Sequence, residues 1–189
     1  MRVISGKARG TKLYTLEGEQ TRPTLDRVKE SVFNIIQNEV KDAVVLDLFS
    51  GSGSISIEAA SRGAKKVIAC DKSKDAINII NKNIDKTHTN DIIEVYNLDY
   101  LECLTKINNI KFDIIYLDPP YKTDYALKAI KQIIKLELTN SDGTIIVETD
   151  DINVLTDIEK EDIEVVDIRK YGRAFIAFFK IINNKNTKD

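Results

Sequence analysis

The sequence predicts an α/β protein with a mostly parallel seven-stranded sheet, helices on both faces and an antiparallel hairpin at its end. From Ala43 onward, apolar strand patterns alternate with helical patterns, and such alternation builds a parallel sheet between two helical layers. The last two strand patterns are separated only by residues 169–173, too few for a helical crossover. The length of 189 residues fits one domain with a single sizeable core.

The individual elements follow from the spacing of apolar residues. Strands are predicted at residues 44–49, 67–71, 92–98, 112–117, 143–148, 163–168 and 174–182. Helices are predicted at residues 25–40, 55–62, 74–84, 100–106, 123–136 and 151–158. Thr24 is a suitable N-cap for the first helix, and Gly63 is a suitable stop for the second. The main domain therefore spans residues 23–182, and the polar tail at 183–189 is expected to fray.

Residues 1–22 form a basic arm ahead of the main domain. Alternation in residues 2–16 predicts a short β-hairpin whose tip, residues 6–10, is basic and flanked by glycines. A hairpin of this size is not stable alone, so it must pack against the main domain or a partner. The glycines keep the tip backbone thin, which favours close approach to a ligand over a freely solvated arm.

Basic residues are concentrated at the start of the chain, although the net charge is only −2. A local basic patch on a near-neutral protein indicates a polyanion site on one face, where lysine and arginine neutralise phosphates. The candidate phosphate-contacting residues are Arg2, Lys7, Arg9, Lys12, Arg22 and Arg27. For Arg22 and Arg27, plain surface charge is an equally open interpretation.

Composition argues against several classes of protein. Cys70 and Cys103 lack CxxC spacing, so they are expected to be core residues rather than disulfide or zinc partners. The single histidine, His88, lies in a polar stretch, which argues against a catalytic triad and a histidine metal site; no metal is expected. No apolar run is long enough for a membrane helix, and the start lacks a signal-peptide core, so a cytoplasmic protein is expected.

The segment after the first strand predicts a nucleotide-cofactor site. The turn Gly51-Ser52-Gly53 brings the backbone close to a ligand where a doubly wound sheet opens its crevice. Asp71, at the end of the second strand, can bind both hydroxyls of a ribose. NAD is the rival cofactor, but its fingerprint has a third glycine where this chain has Ser56. A merely structural tight turn would also explain the glycines.

Two further acids help to distinguish the cofactors. Asp47 lies close enough to the turn to order it or to meet a cationic amino group, and Asp99 can accept from an adenine amine. With Asp71 they fit a ligand that is zwitterionic at one end and an adenosine at the other, which is S-adenosylmethionine. Each acid alone could instead be a helix N-cap. The predicted cofactor-binding residues are Asp47, Phe49, Ser50, Gly51, Gly53, Asp71, Lys72, Asp99, Tyr100 and Asp118.

The fourth strand ends in Asp118-Pro119-Pro120-Tyr121. Two prolines fix the backbone and lack N–H donors, so the chain leaves the sheet with a rigid shape and with carbonyls able to accept. An acid, a carbonyl and an aromatic ring held there suit a flat molecule that bears an amine. The alternative is a structural loop with a capping aspartate.

These motifs resemble those of a known family. Residues 45–53, Asp71 and the Asp118–Tyr121 motif make the chain similar to class I amino-methyltransferases, which have a Rossmann-like fold. The stretch Arg22-Pro23-Thr24-Leu25-Asp26-Arg27-Val28-Lys29-Glu30, with Phe33-Asn34 and Glu58-Ala59, makes it resemble the RsmD family of bacterial 16S rRNA guanine-N2 methyltransferases nearly end to end. The chain departs from the family pattern at Ser50, where alanine is usual, and at Asp71, where glutamate is common.

The resemblance implies a reaction and a partner. S-adenosylmethionine would give its methyl group, leaving S-adenosylhomocysteine, to the N2 amine of a guanine of the guanine-966 type in the small ribosomal subunit. The catalytic residues would be Asp118, Pro119, Pro120 and Tyr121: the Asp118 carboxylate and Pro119 carbonyl each accept one N–H, and Tyr121 stacks on the extruded base. A monomer is expected. The competing interpretations are a DNA adenine or cytosine amino-methyltransferase, an NAD-dependent oxidoreductase and a non-catalytic RNA-binding ribosome-assembly factor.

Overall fold

The computed structural model describes residues 1–16, 23–120, 122–158 and 162–182. Its helices are α1 (Pro23–Ile35), α2 (Ser54–Ser61), α3 (Lys74–Thr87), α4 (Tyr100–Lys106), α5 (Tyr125–Lys135) and α6 (Ile152–Ile158). Its strands are β1 (Val44–Asp47), β2 (Lys66–Cys70), β3 (Ile93–Tyr96), β4 (Phe112–Leu117), β5 (Thr139–Thr149), β6 (Ile163–Tyr171) and β7 (Ala174–Ile181). The predicted alternation is confirmed. Within the described ranges, no helix is both long enough and apolar enough to cross a membrane.

The strands form one sheet in the order β3-β2-β1-β4-β5-β7-β6. Neighbours among the first five are parallel, whereas β7 runs antiparallel to both β5 and β6. The predicted Rossmann-like class I methyltransferase fold with its terminal hairpin is therefore confirmed. Because β1 lies between β2 and β4, the segments that follow these three strands meet at one edge of the sheet, where open α/β sheets bind ligands.

The sheet separates two apolar layers, as its alternating side chains require. Val45 and Ile114 face a front layer that contains α1, α2 and α3, and Leu46 faces a back layer that contains α4, α5 and α6. Cys70 and Cys103 are fully buried in the back layer, which confirms the prediction that they are core residues.

Most element boundaries lie within three residues of the predictions, and two differ by four residues or more. The first helix was predicted to reach residue 40 but ends at Ile35, because the chain tightens into a turn in which the Glu39 N–H donates to the Ile36 carbonyl at 2.8 Å. β5 begins at Thr139 rather than residue 143, because its pairing with β4 continues across an irregularity between Phe112 and Ile114.

The N-terminal arm, described as far as residue 16, lies on the front layer. Arg2 and Lys12 form a single antiparallel bridge, so the predicted hairpin is reduced to one pairing rather than two full strands. Val3 and Leu13 are buried among the front-layer side chains. The arm thus packs against the main domain, as its small size requires.

Candidate active site

The carboxyl edge of the sheet carries a cleft next to β1 and β2, called here the strand-end cleft. Its lining combines apolar and aromatic walls with two acids and consists of Leu48, Phe49, Asp71, Lys72, Leu98, Asp99, Tyr100, Pro120 and Tyr125. Of the predicted cofactor-binding residues, the structure brings five into this lining: Phe49, Asp71, Lys72, Asp99 and Tyr100. The others lie around it without lining it: Asp47, Ser50, Gly51, Gly53 and Asp118.

Hydrogen bonds between β1 and β2 shape the glycine turn at this edge. The Ser50 hydroxyl accepts from the Cys70 N–H at 3.0 Å, and the Gly51 N–H donates to the Asp71 carboxylate at 2.9 Å. The other carboxylate oxygen of Asp71 accepts from the Ser73 N–H at 2.8 Å. Two backbone donors therefore hold Asp71 in place, half exposed in the cleft.

Asp47 is buried beneath the turn and orders it. Its carboxylate accepts from both the N–H and the hydroxyl of Ser56, at 3.1 and 2.6 Å. Burial raises the pKa of Asp47 to about 6, although the hydrogen bonds from Ser56 oppose that rise. Ordering was one of the two roles expected for Asp47, and it explains why a serine stands where the NAD fingerprint has glycine.

Gly53 is needed for the packing of the glycine turn against α3. Its φ of 77° is left-handed, and an added Cβ would lie 3.1 Å from the Ile80 side chain of α3. Asp99 is the N-cap of α4, accepting from the Leu101 N–H at 3.0 Å, while it also lines the strand-end cleft. For Asp99 the cap and the candidate ligand contact therefore coincide.

An aromatic cluster covers one side of the strand-end cleft. The ring centres of Phe49 and Tyr100 lie 5.3 Å apart, and those of Tyr100 and Tyr125 lie 4.9 Å apart. Tyr125 was not identified from the sequence. Its position in the first turn of the helix that follows the double proline was the available signal.

The segment after β4 exposes Asp118 and buries Pro119. The Thr123 hydroxyl donates to the Pro120 carbonyl at 2.7 Å, so this carbonyl is already engaged within the loop. The Pro119 carbonyl remains the predicted partner of Asp118 in accepting an amine. The predicted stacking residue, Tyr121, lies outside the described residues.

A second cavity, called here the loop cavity, lies on the other side of this segment, with a volume of about 350 Å³. Side chains of α5, α6 and the loop line it: Pro119, Pro120, Lys122, Thr123, Asp124, Ala126, Leu127, Thr149, Asp151, Val154 and Asp157. Pro120 also lines the strand-end cleft, so the double proline borders both spaces. Three aspartates in the lining make the loop cavity suitable for a hydrogen-bond donor rather than for a phosphate.

A buried polar pair lies beneath these spaces. The Tyr116 hydroxyl donates to the Glu148 carboxylate at 2.6 Å, and both side chains are nearly inaccessible. Burial raises the pKa of Tyr116 and of Glu148, while the hydrogen bond opposes the rise for Glu148. Tyr116 and Asp118 are two residues apart on the extended chain, so this pair supports the backbone that presents Asp118.

The predicted phosphate-contacting residues of the described chain are all exposed: Arg2, Lys7, Arg9, Lys12 and Arg27. Arg22 lies outside the described residues. At the tip of the arm, the Lys7 and Ala8 N–H groups donate to the Ser61 carbonyl and hydroxyl, at 2.8 and 2.9 Å. Ser61 is the last residue of α2, and the glycine turn lies at the other end of this helix. The eight residues of α2 span about 12 Å, so the tip of the arm lies about that far from the glycine turn.

One expectation about the tip requires correction. Gly6 was expected to thin the backbone for a ligand, but an added Cβ would lie 1.8 Å from the Ser61 carbonyl oxygen. With a φ of 81°, Gly6 is needed for the arm to approach α2. Gly10, by contrast, has open space around it.

A buried charged group, not identified from the sequence as functional, anchors the arm. The carboxylate of Glu58 in α2 accepts from the Ile4 and Ser5 N–H groups at 2.8 and 3.0 Å, and from Arg62 Nε at 2.8 Å. Lys29 Nζ lies 3.5 Å from Glu58 and donates to the Arg2 carbonyl at 2.7 Å. Lys29 and Glu58 belong to the stretches that carry the family resemblance, so the structure gives them a role in holding the arm.

This chain is similar to known proteins over most of its length. The family model described as conserved hypothetical protein 95 matches residues 1–180. The chain is 36% identical over 154 residues to the ribosomal RNA small subunit methyltransferase D of Haemophilus influenzae, covering 79% of each protein. It is 39% identical over 153 residues to Bacillus subtilis YlbH, named as a candidate rRNA methyltransferase, covering 79% of this chain and 83% of YlbH.

A solved structure extends the similarity to the fold. The Escherichia coli protein yhhF, named as a candidate methyltransferase, superposes with a TM-score of 0.85 at 25% identity, covering 96% of this chain and 97% of that one. The match includes the arm as well as the sheet, because so little of either chain is left out.

Proposed function

We propose a function from the family of this chain, which belongs to the RsmD family. The protein is an S-adenosylmethionine-dependent methyltransferase of small-subunit ribosomal RNA. The acceptor is the exocyclic N2 amine of a guanine of the guanine-966 type. Three features support the proposal: the strand-end cleft, the segment Asp118-Pro119-Pro120 beside it, and the exposed basic arm.

The residues of the strand-end cleft fit S-adenosylmethionine. Phe49, Leu98 and Tyr100 provide apolar walls suited to the flat adenine ring. Asp71 is held by two backbone donors and keeps lone pairs for the ribose hydroxyls, and Asp99 can accept from the adenine amine. The bound cofactor supplies an electrophilic methyl group.

The chain prepares the acceptor nitrogen. An exocyclic guanine amine is a poor nucleophile because its lone pair is delocalised into the ring. If the Asp118 carboxylate and the Pro119 carbonyl each accept one N–H, the nitrogen moves toward sp³ geometry and its lone pair becomes available. The rigid backbone of two prolines fixes both acceptors relative to the cofactor, which lowers the entropic barrier to transfer.

The position of Pro120 is the observation that carries the proposal. It borders the strand-end cleft on one side and the loop cavity on the other. A base in the loop cavity therefore lies beside the same segment that borders the cofactor cleft. Asp124, Asp151 and Asp157 line that cavity, and a carboxylate there can accept from the N1–H of guanine, which lies beside the N2 amine.

Ribosomal RNA is favoured as the substrate over DNA by the arm and by the relatives. The basic arm suits a phosphate backbone whose target base is selected by the shape of a folded RNA. The Haemophilus influenzae relative is named for the small-subunit RNA. We expect the enzyme to act as a monomer in the cytoplasm.

A labelled-methyl transfer assay tests the proposal. Labelled S-adenosylmethionine is offered with small ribosomal subunits, naked ribosomal RNA or DNA, and any methylated nucleotide is mapped. We expect transfer to guanine N2 in small-subunit RNA, and we expect Asp118→Ala to abolish it with thermal unfolding unchanged. Cofactor binding should be retained in this variant, because Asp118 does not line the strand-end cleft. Asp142→Ala, an exposed acid away from the site, is the control. Near-normal transfer by Asp118→Ala would refute the mechanism, and transfer to DNA alone would refute the substrate.

A further inference from the structure

The arm ends in an aromatic ring exposed on a fixed backbone. The Tyr14 N–H donates to Asn83 Oδ1 at 2.7 Å, and the Tyr14 carbonyl accepts from Asn83 Nδ2 at 3.0 Å. Asn83 is fully buried in α3, so both polar groups of the Tyr14 backbone are held rigidly. The Tyr14 side chain is nevertheless 49% exposed. A large ring that the fold fixes in solvent is available for a contact from outside the chain.

Two lysines of α3 line the cleft beside this ring. An open cleft of about 780 Å³ between the end of the arm and α3 is lined by Leu13, Tyr14, Thr15, Ile79, Lys82, Asp85 and Lys86. Lys86 Nζ lies 4.4 Å from the centre of the Tyr14 ring. The one acid in that lining, Asp85, accepts from Asn90 Nδ2 at 2.7 Å. Lys12 projects on the same side as Tyr14, because Leu13 between them is buried.

The surface also lies close to the candidate active site. Asn83 Nδ2, which donates to the Tyr14 carbonyl, donates in addition to the Ser52 carbonyl of the glycine turn at 2.9 Å. One buried amide thus joins Tyr14 to the edge that carries the strand-end cleft. The basic tip of the arm lies at the far end of α2, about 12 Å away. Tyr14 is therefore better placed than the tip to contact nucleotides near the target base.

We propose that Tyr14, Lys82 and Lys86 form a stacking platform for an unpaired stretch of the RNA substrate. The inference rests on the proposed function, because it assigns a partner to a surface continuous with the basic arm. Aromatic rings that accept stacked bases, with lysines on the neighbouring phosphates, are how proteins hold single-stranded nucleic acid without reading its sequence. A duplex hides the faces of its bases, so the platform selects unpaired RNA.

Binding measurements with two RNA probes test the platform. The probes are a fluorescein-labelled unstructured RNA oligonucleotide and a labelled RNA duplex, each titrated with the full chain. Tyr14→Leu removes the aromatic face but keeps apolar bulk, and we expect it to weaken single-strand binding by about 5- to 100-fold and duplex binding far less. Tyr14→Phe should restore single-strand binding. Lys82→Gln with Lys86→Gln should reduce the salt dependence by about 1.4 in slope, at about 0.7 for each lost phosphate contact.

The chain offers a matched control on its opposite face. Lys106 Nζ lies 5.0 Å from the centre of the Tyr96 ring. Tyr96→Leu and Lys106→Gln therefore remove a tyrosine ring and a lysine charge that are paired in the same way but lie away from the proposed platform. Cofactor affinity should be unchanged in every variant. If Tyr14→Leu binds the single strand no more weakly than Tyr96→Leu does, the platform is refuted while methyl transfer by the unmodified protein still supports the proposed function. If the unmodified protein neither binds nor methylates RNA, both fail.

Discussion

Replacing Glu58 with glutamine should release the N-terminal arm from the main domain. The fully buried carboxylate of Glu58 receives N–H donors from Ile4 and Ser5, lies 2.8 Å from Arg62 Nε and lies 3.5 Å from Lys29 Nζ. Both carboxylate oxygens of Glu58 accept from N–H donors. Glutamine keeps one of these acceptor oxygens, but its NH₂ group replaces the other and would face an N–H donor. It also removes the negative charge that Lys29 and Arg62 both approach, and burial already lowers the pKa of Lys29.

The contacts set the size of the effect. Breaking a buried ion pair by removing one partner costs about 3–5 kcal/mol, because the remaining charges stay buried without compensation. Each backbone hydrogen bond to the carboxylate contributes about 1.5–3 kcal/mol. Detachment of the arm would expose Val3 and Leu13, which costs about 1.5–3 kcal/mol each. Because the arm can detach when its contacts with residue 58 become more costly than this exposure, the exposure sets an upper limit on the loss of stability. We therefore expect the free energy of unfolding to fall by about 3–5 kcal/mol.

Urea unfolding and amide hydrogen exchange measure the two consequences. The Ile4, Ser5 and Lys7 amides should lose most of their protection in Glu58→Gln, because the arm opens locally. Amides of the central strands exchange through global unfolding, so their protection should fall only by the loss in the free energy of unfolding. Glu94→Gln is the control, because Glu94 pairs with Lys66 at 2.8 Å on the surface and should cost less than about 1 kcal/mol. Unchanged protection of the arm in Glu58→Gln would refute the anchoring role.

Two further predictions concern the turn and the tip. Burial raises the pKa of Asp47 from 3.8 to about 6, so between these pH values the folded state keeps a proton that the unfolded state has lost. As pH rises from about 4 to about 6, the free energy of unfolding of the unmodified protein should therefore fall by about 3 kcal/mol relative to that of Asp47→Asn. Urea unfolding across that range checks this, and a pH-independent difference would contradict it. Charge reversal at Lys7 and Arg9 should weaken RNA binding and flatten its salt dependence without changing cofactor affinity. Charge reversal at Lys131 and Lys135 on α5 is the control and should leave RNA binding unchanged; equal effects of the two pairs would refute phosphate contacts at the tip of the arm.

The local elements were predictable because each strand and helix has its own apolar spacing. α4 and β4 have the predicted boundaries, residues 100–106 and 112–117, and the acids at the strand ends were placed from the same patterns. The prediction for α1 was wrong at its end because apolar Val40 continues the helical spacing but is buried by the turn that leads into β1.

The residues missed at the site act through contacts between distant parts of the chain. Tyr125 joins Phe49 and Tyr100 only because α5 folds back beside β1 and α4. Asn83 in α3 has the composition of an ordinary helix residue, yet it binds Tyr14, which lies 69 positions earlier. No local pattern marks such a pair, because nothing near either residue in the chain depends on the other.

The sequence by itself determined the class of fold, the glycine turn after β1 and the double-proline segment, because these depend on apolar periodicity and on residues that restrict their own backbone. Only the tertiary structure decided which charged residues lie on the surface and which are buried in contact with the arm. Lys29, Glu58 and Arg62 look like surface charge in the sequence, but burial and the arm's backbone N–H groups make them an anchor. A charge shows its role only through its surroundings, since the same carboxylate is a weak partner in water and a strong one when buried with fixed donors.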